Sequence, residues 1–309
     1  MFRFRMMLNA LAFTVVSLAL ASIAQAQVPQ TFVSAQQGND ANPCTVAAPC
    51  RTFTQALTQV QAGGVVTALD SGDYEPFDVR QSVTVQAAPG VYAGITNSLA
   101  SAVSVGAGAN DVVVLRGLTF IGTGGQQGQA VGFGSGKAVH VENCVIDGYS
   151  NGIQSNSSTS SAQLFVSDTT VRNCFYGIAI NAGKATVEHS RVLKNIAGGL
   201  LAAAGTKVTV RDSVASGNGY GFRVFAGPAG SVTEMNIEDC FASDNGTGIR
   251  AESASGLTTL IRVANTTVTG NSTGIMVAGP GSNSIISRGD NTVEGNTNNG
   301  SFTGTFAAK

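Results

Sequence analysis

Four residues invite a chemical reading first: Asp168, His189, Asp212 and Asp239, which follow one another at intervals of 21, 23 and 27 residues. Three carboxylates and an imidazole in one column could pass a proton or hold a cation. Glu188 and Glu238 flank them, with Arg211 between. A second set is aromatic and basic. Tyr176 and Tyr220 each stand eight residues after a member of the first column, and Arg223 and Arg250 each stand eleven after. Tyr149 and Phe175 fall close to them in the repeat. Exposed rings can stack on sugars, and paired guanidinium groups hold carboxylates, so this set is the candidate ligand-binding group, suited to an acidic sugar. Both sets also have a plainer reading. Asp and His suit solvent-facing turns, rings can cover a loop, and Arg is ordinary on a surface.

What must position these residues is a repeat. The column extends to Asn143 at one end and Asn265 at the other. Two positions before each member is Val or Ile: Val141, Val166, Val187, Val210, Ile237 and Val263. One after is small, from Cys144 and Thr169 to Cys240 and Thr266. Three after is aliphatic, from Ile146 to Val268, and nine after is always Gly, from Gly152 to Gly274. A bulky apolar residue follows that Gly in every segment but the third, where Gly198 is followed by Gly199 and then Leu200. A period of 21 to 27 residues with short alternating runs predicts a solenoid of stacked β-coils, about 4.8 Å apart. The repeated Asn or Asp fits a turn that needs the left-handed backbone region, with side chains able to bond the next coil. The Gly is expected to let the chain swing back into the sheet. Asn195, Asn218, Asn245 and Asn271 form a second ladder of stacked amides, with Cys174 at the same position one coil earlier. Cys144, Cys174 and Cys240 are then expected to be small core residues.

The ends differ from the middle. Cys44 and Cys50 in "NPCTVAAPC" are expected to pair as a disulfide. In "CRTFTQALTQVQAGG", Thr52 and Gln55 suggest a capping box. Phe53, Ala56, Leu57 and Val60 share one helical face, and Gly63 would end the helix. Such a helix would cover the open first coil. Phe302 and Phe306 are expected to plug the last one. His140 is read as a surface residue, and the Gly-rich stretch Gly122–Gly136 as an excursion from the wall rather than a phosphate loop.

The chain opens with Arg3 and Arg5, an apolar run from Ala10 to Leu20, and Ala24-Gln25-Ala26. That pattern predicts a secretory signal peptide over residues 1–26. Removing it lowers Lys+Arg from 17 to 15 against 18 Asp+Glu. A nucleic-acid partner is not expected on that balance, nor a membrane span after cleavage.

The segments "VENCVIDGYSNGI", "VEHSRVLKNIAGGL" and "IEDCFASDNGTGI" resemble right-handed parallel β-helix repeats of the pectin lyase-like type. The front, "FVSAQQGNDANPCTVAAPCRTFTQAL", is similar to the N-terminal cap of exported bacterial β-helix proteins without assigned activity. The resemblance implies the right-handed sense and a bacterial setting. The expected organisation is a signal peptide (1–26), a cap with disulfide and helix (27–64), coils (65–296) and a C-terminal cap or tail (297–309). Polygalacturonases share an Asn-Thr-Asp segment, an Asp-Asp pair and a Gly-His-Gly segment, which this sequence lacks. No local motif matches the acidic cluster and Arg of pectate lyases. The leading expectation is therefore a non-catalytic exported protein, periplasmic or extracellular, that presents a rigid surface to polysaccharide or another cell-envelope component. A lyase, hydrolase or epimerase working in a groove is the alternative, and only a lyase would bring Ca²⁺. No other cofactor and no resident metal are expected. A structural or adhesive protein binding another protein is the third reading.

Overall fold

The computed structural model describes residues 27–98, 101–125, 127–157, 161–226 and 232–307. The expected signal peptide, residues 1–26, lies outside the described residues. The chain winds as a parallel β-helix of three sheets, with twelve, ten and nine strands among the described residues. Every strand pairs in parallel with its counterpart in the next coil. One coil shows the course: Lys207–Arg211 in the twelve-stranded sheet, Val214–Ser216 in the ten-stranded sheet and Tyr220–Ala226 in the nine-stranded sheet.

The apolar positions of the repeat become three internal ladders. Val141, Val166, Val187, Val210, Ile237 and Val263 are successive register partners, all buried. So are Ile146 through Val268 in the second sheet. In the third, Ile178 pairs with Leu200 and Leu200 with Phe222, so the extra residue before Leu200 is absorbed without breaking the ladder. A one-residue slip would turn the buried face outward, which is why the insertion is taken up outside the strand pairing.

Two of the three corners of each coil are set by the repeat. The first holds Asn143, Asp168, His189, Asp212, Asp239 and Asn265, all with φ between 41° and 52° except Asp239 at 55°. The expected left-handed turn is thus present in all six segments. The bond to the next coil is made one residue later than expected. The Thr169 hydroxyl accepts from the Cys144 N–H at 3.2 Å, Ser190 from Thr169 at 3.3 Å, and Ser213 from Ser190 at 3.1 Å. These small side chains point inward, whereas the turn residue itself points to water. The second corner carries the amide ladder. Asn218 Oδ1 accepts from both the N–H and the side-chain amide of Asn195, each at 2.9 Å. Asn218 Nδ2 donates in turn to the Val192 carbonyl and to Asn245 Oδ1. Each buried amide is satisfied by its neighbours in the adjacent coils, as close packing of polar groups requires.

The repeated Gly has a different cause from the one expected. Gly152, Gly177, Gly221, Gly248 and Gly274 have no left-handed φ. A Cβ on Gly221 would stand 2.6 Å from the Gly248 carbonyl oxygen, and one on Gly248 would stand 2.7 Å from that of Gly274. Neighbouring coils approach too closely there for any side chain. The position that does need left-handed geometry lies five residues after each turn residue: Gly148, Asn173, Lys194, Gly217, Asp244 and Gly270.

At the N-terminal end, α1 (Phe53–Gln59) covers the first coil. Thr52 accepts from the Gln55 N–H, the first half of a capping box. The second half comes from elsewhere, since the Thr52 N–H donates to Asp40 Oδ1 at 2.9 Å. Phe53 packs on Tyr74 and Phe77, with centroids 5.0 and 4.9 Å away. The helix ends at Gln59, and Gly63 lies within the strand Val60–Ala68 rather than at the helix stop. Cys44 and Cys50 are joined by a disulfide, and the strand Val28–Val33 ahead of them is the first of the twelve-stranded sheet. Asp70 ties this end together. It accepts from the Ser34 hydroxyl at 2.5 Å, the Ala35 N–H at 2.7 Å and the Tyr74 hydroxyl at 2.9 Å. Burial works against its ionisation, but these hydrogen bonds outweigh it and hold the carboxyl below the usual range.

At the other end Phe302 packs against the core. Phe306 does not plug the last coil. It lies outside, beside Arg211, Arg262 and Arg288 on the twelve-stranded sheet, because the short strand Gly304–Thr305 pairs with Ser282–Ser287 and carries the tail along that face. The Gly-rich stretch also departs from expectation. Gln129–Ser135 is a strand of the nine-stranded sheet, with Ala130, Val131 and Phe133 buried. Its glycines hid an ordinary buried face.

Candidate functional site

The two sets of candidate residues have different fates. Asp168, His189, Asp212 and Asp239 stand at one corner on successive coils, and all four are exposed. His189 Nε2 lies 3.8 Å from Asp212 Oδ2, with side chains 59% and 51% exposed. Asp239 accepts from the Asn265 side-chain amide. Arg211 pairs with Glu238 at 3.4 Å. Among the described residues no three His, Cys, Asp or Glu side chains are grouped to hold a metal ion. A left-handed turn that projects its side chain into water accounts for Asp here, and the column does not converge on any point.

Tyr176, Tyr220, Arg223 and Arg250 do converge. They line one groove of about 750 Å³ on the outer face of the nine-stranded sheet, together with Thr247 and Met276. The strands Tyr176–Ile180, Tyr220–Ala226 and Thr247–Ser253 supply them. Gly198 pairs with Tyr176 between the two tyrosine coils, which leaves the floor open there. Arg223 and Arg250 are direct register partners. Two like charges at one strand spacing repel, and a residue not foreseen from sequence resolves this. Glu252 Oε2 accepts from Arg223 Nη2 and from Arg250 Nε, both at 2.9 Å. The guanidinium carbons sit 4.9 and 5.1 Å from the centre of the Tyr220 ring, within cation–π range. Arg223 also lies 5.2 Å from the Phe225 ring. The arginine side chains are only 18% and 16% exposed, so they are held parts of the wall and not loose surface groups. The signal for Glu252 was present: it stands two residues after Arg250, hence on the same strand face.

The other aromatic candidates divide. Phe175 meets Tyr176 edge-on at 5.1 Å and forms an exposed rim. Tyr149 is fully buried and donates to Asn97 Oδ1 at 2.7 Å, so it belongs to the core and not to the ligand surface. His140 faces outward but is half covered. Its ring stacks on Phe165 at 4.6 Å. Burial pushes its pKa down, against the pull of Glu142 and with the help of Arg116. Cys144, Cys174 and Cys240 are buried as expected. Burial pushes the thiols up to about 12 for Cys144, about 11 for Cys174 and about 12 for Cys240, which leaves them inert as nucleophiles near neutrality.

Solved structures share this architecture. The crystal structure of pectate lyase Pel9A is similar over 85% of this chain and 69% of its own, at 17% identity and a TM-score of 0.58. The complex structure of XylC with xylose is similar over 82% of this chain and 68% of its own, at 9% identity and a TM-score of 0.65. At such identities the likeness is one of fold. No curated protein matches the sequence. Residues 129–298, more than half of the chain, match the family described as right handed beta helix region, and the chain belongs to that family.

Proposed function

We propose that this protein is a non-catalytic carbohydrate-binding β-helix, exported from the cell, whose ligand is an acidic sugar of a polysaccharide or cell-envelope component. The observation that carries the reading is the Arg223–Arg250 pair over Tyr220. Two guanidinium groups share one carboxylate, Glu252, so the groove keeps one uncompensated positive charge. An acidic sugar would meet that charge with its carboxylate and Tyr220 or Tyr176 with its ring face. The fold is shared with a pectate lyase and with a protein solved with xylose, which makes a saccharide a natural ligand class for such a wall. Catalysis would need titratable groups converging on one bond. Among the described residues lining this groove there is no carboxylate, and Glu252 is engaged by both arginines.

The test is calorimetric titration of residues 27–309 with galacturonate oligomers. Reducing-end and unsaturated-product assays follow on the same mixtures, with and without Ca²⁺. Saturable binding without turnover is expected, weakened about tenfold or more by Arg250→Ala. Turnover would overturn the non-catalytic reading, and no binding would move the assignment to protein adhesion. Export predicts a secreted or periplasmic product whose N-terminus is Gln27, read by mass spectrometry.

A further inference from the structure

The nine-stranded sheet carries a second depression near its other end. Two confluent hollows, of about 240 and about 660 Å³, share Asp78, Arg80 and Ser101. Asp78, Ser104 and Gly132 are successive register partners along it. The same column runs through Gln154, Ala179 and Leu201 to Arg223. Four strand spacings of about 4.8 Å put the two sites roughly 19 Å apart.

The floor is bare of side chains. Gly106 and Gly132 have no left-handed φ. A Cβ at Gly106 would meet nothing within 4 Å, and one at Gly132 would meet only the tip of Gln129, at 3.0 Å. The wall glycines differ, since there a Cβ would strike the backbone of the next coil. Glycine inside a strand weakens it, and it recurs at bulges and where a ligand approaches closely. The strand Gln129–Ser135 also bulges against Val103–Gly106 between Phe133 and Ser135, a device common beside binding sites. Gln129 lines the hollow, and its Oε1 is buried with no hydrogen-bond donor. Ser104 and Asn156 add polar groups at the rim, and Phe77 and Leu57 make an apolar side in the larger hollow. Asp78 and Arg80 pair at 3.0 Å, so their charges cancel.

We propose that this depression is a second saccharide site, taking a neutral glycosyl unit laid flat on the Gly106–Gly132 floor. A flat ring with apolar faces and hydroxyl edges matches a bare, uncharged floor with polar groups around it. The site stands on its own residues and does not rest on the reading of the Tyr220 groove.

Xylotetraose and cellotetraose are the neutral probes, titrated into the intact chain by calorimetry. At least one is expected to bind saturably. Gly106→Leu fills the floor where a side chain meets no protein atom, so the thermal midpoint should hold or rise while affinity falls about tenfold or more. Asn156→Ala should weaken the same probe. Arg250→Ala should leave it unchanged, and Gly106→Leu should leave galacturonate binding unchanged. No saturable binding of either neutral probe, unchanged affinity in Gly106→Leu, or loss in Arg250→Ala would each overturn the second site. The galacturonate titration reports separately on the Tyr220 groove.

Discussion

The corner that holds Asp168, His189, Asp212 and Asp239 carries the richest chemistry on paper, yet it is in the groove around Tyr220 that candidate side chains converge. Both are built by the same stacking. The corner stacks one repeat position along the axis and aims it into water, so its members meet only their nearest neighbours, as His189 meets Asp212 at 3.8 Å. The groove brings together three repeat positions of one sheet face, those of Tyr220, of Arg223 with Arg250, and of Glu252. A ladder along the axis builds a wall, and a site needs convergence across ladders.

That contrast can be broken or sharpened by substitution. The largest effect is expected inside the second corner, which is held by buried amides. Asn218→Ala leaves buried partners in both adjacent coils unsatisfied. It should lower unfolding stability by about 3 kcal/mol or more in denaturant titration. Next comes the N-terminal cap. Asp70→Asn weakens charge-assisted hydrogen bonds, and about 1.5–3 kcal/mol should be lost at neutral pH. The sign of its pH dependence follows from the lowered pKa. The unfolded carboxyl binds a proton first, so the stabilisation is full above the ordinary value of 3.8 and is lost as pH falls through the lower folded value. Acid unfolding curves of parent and Asn variant should converge below that range, and parallel curves would remove Asp70 from the account. In the groove, Glu252→Gln should lower stability by about 1.5 kcal/mol, because it takes the shared carboxylate from two mostly covered guanidinium groups. It should alter the affinity for galacturonate oligomers severalfold, because it frees both guanidinium groups from a shared charge. The smallest effect belongs to the exposed corner. Asp212→Asn keeps a residue suited to the left-handed turn, and should move stability by less than about 0.5 kcal/mol and ligand affinity not at all. A substantial loss of binding there would reverse the comparison and make the corner the functional region.

Three features of the molecule were legible from residue spacing, and each is an along-axis property. Val141 through Val263 read as one ladder, Asn195 through Asn271 as another, and the turn at Asp168 and its equivalents as a third. Stacked coils repeat at a fixed distance, so equal positions must meet their equivalents. Other signals stand in the residues themselves. The residues five after each turn are Gly, Asn or Asp in five of six segments, with Lys194 the exception, a composition that matches a second left-handed corner. Gly122–Gly136 hid a strand because its glycines outnumbered the alternation of Val131 and Phe133.

The amino-acid sequence by itself determined the coil, its period, its two polar ladders and its three apolar faces, because those depend only on which residue types recur at which interval. The right-handed sense came from resemblance and family membership, since an interval is the same for either hand. The tertiary structure alone decided that the repeated Gly is required by the approach of the next coil's carbonyl. It also decided that Asp40 completes the helix cap and that Phe306 lies outside the barrel of coils. The last two contacts run between distant segments, and the first depends on how closely one coil sits on the next. Their geometry depends on how far each side chain leans and where each loop carries the chain, and no periodicity encodes either.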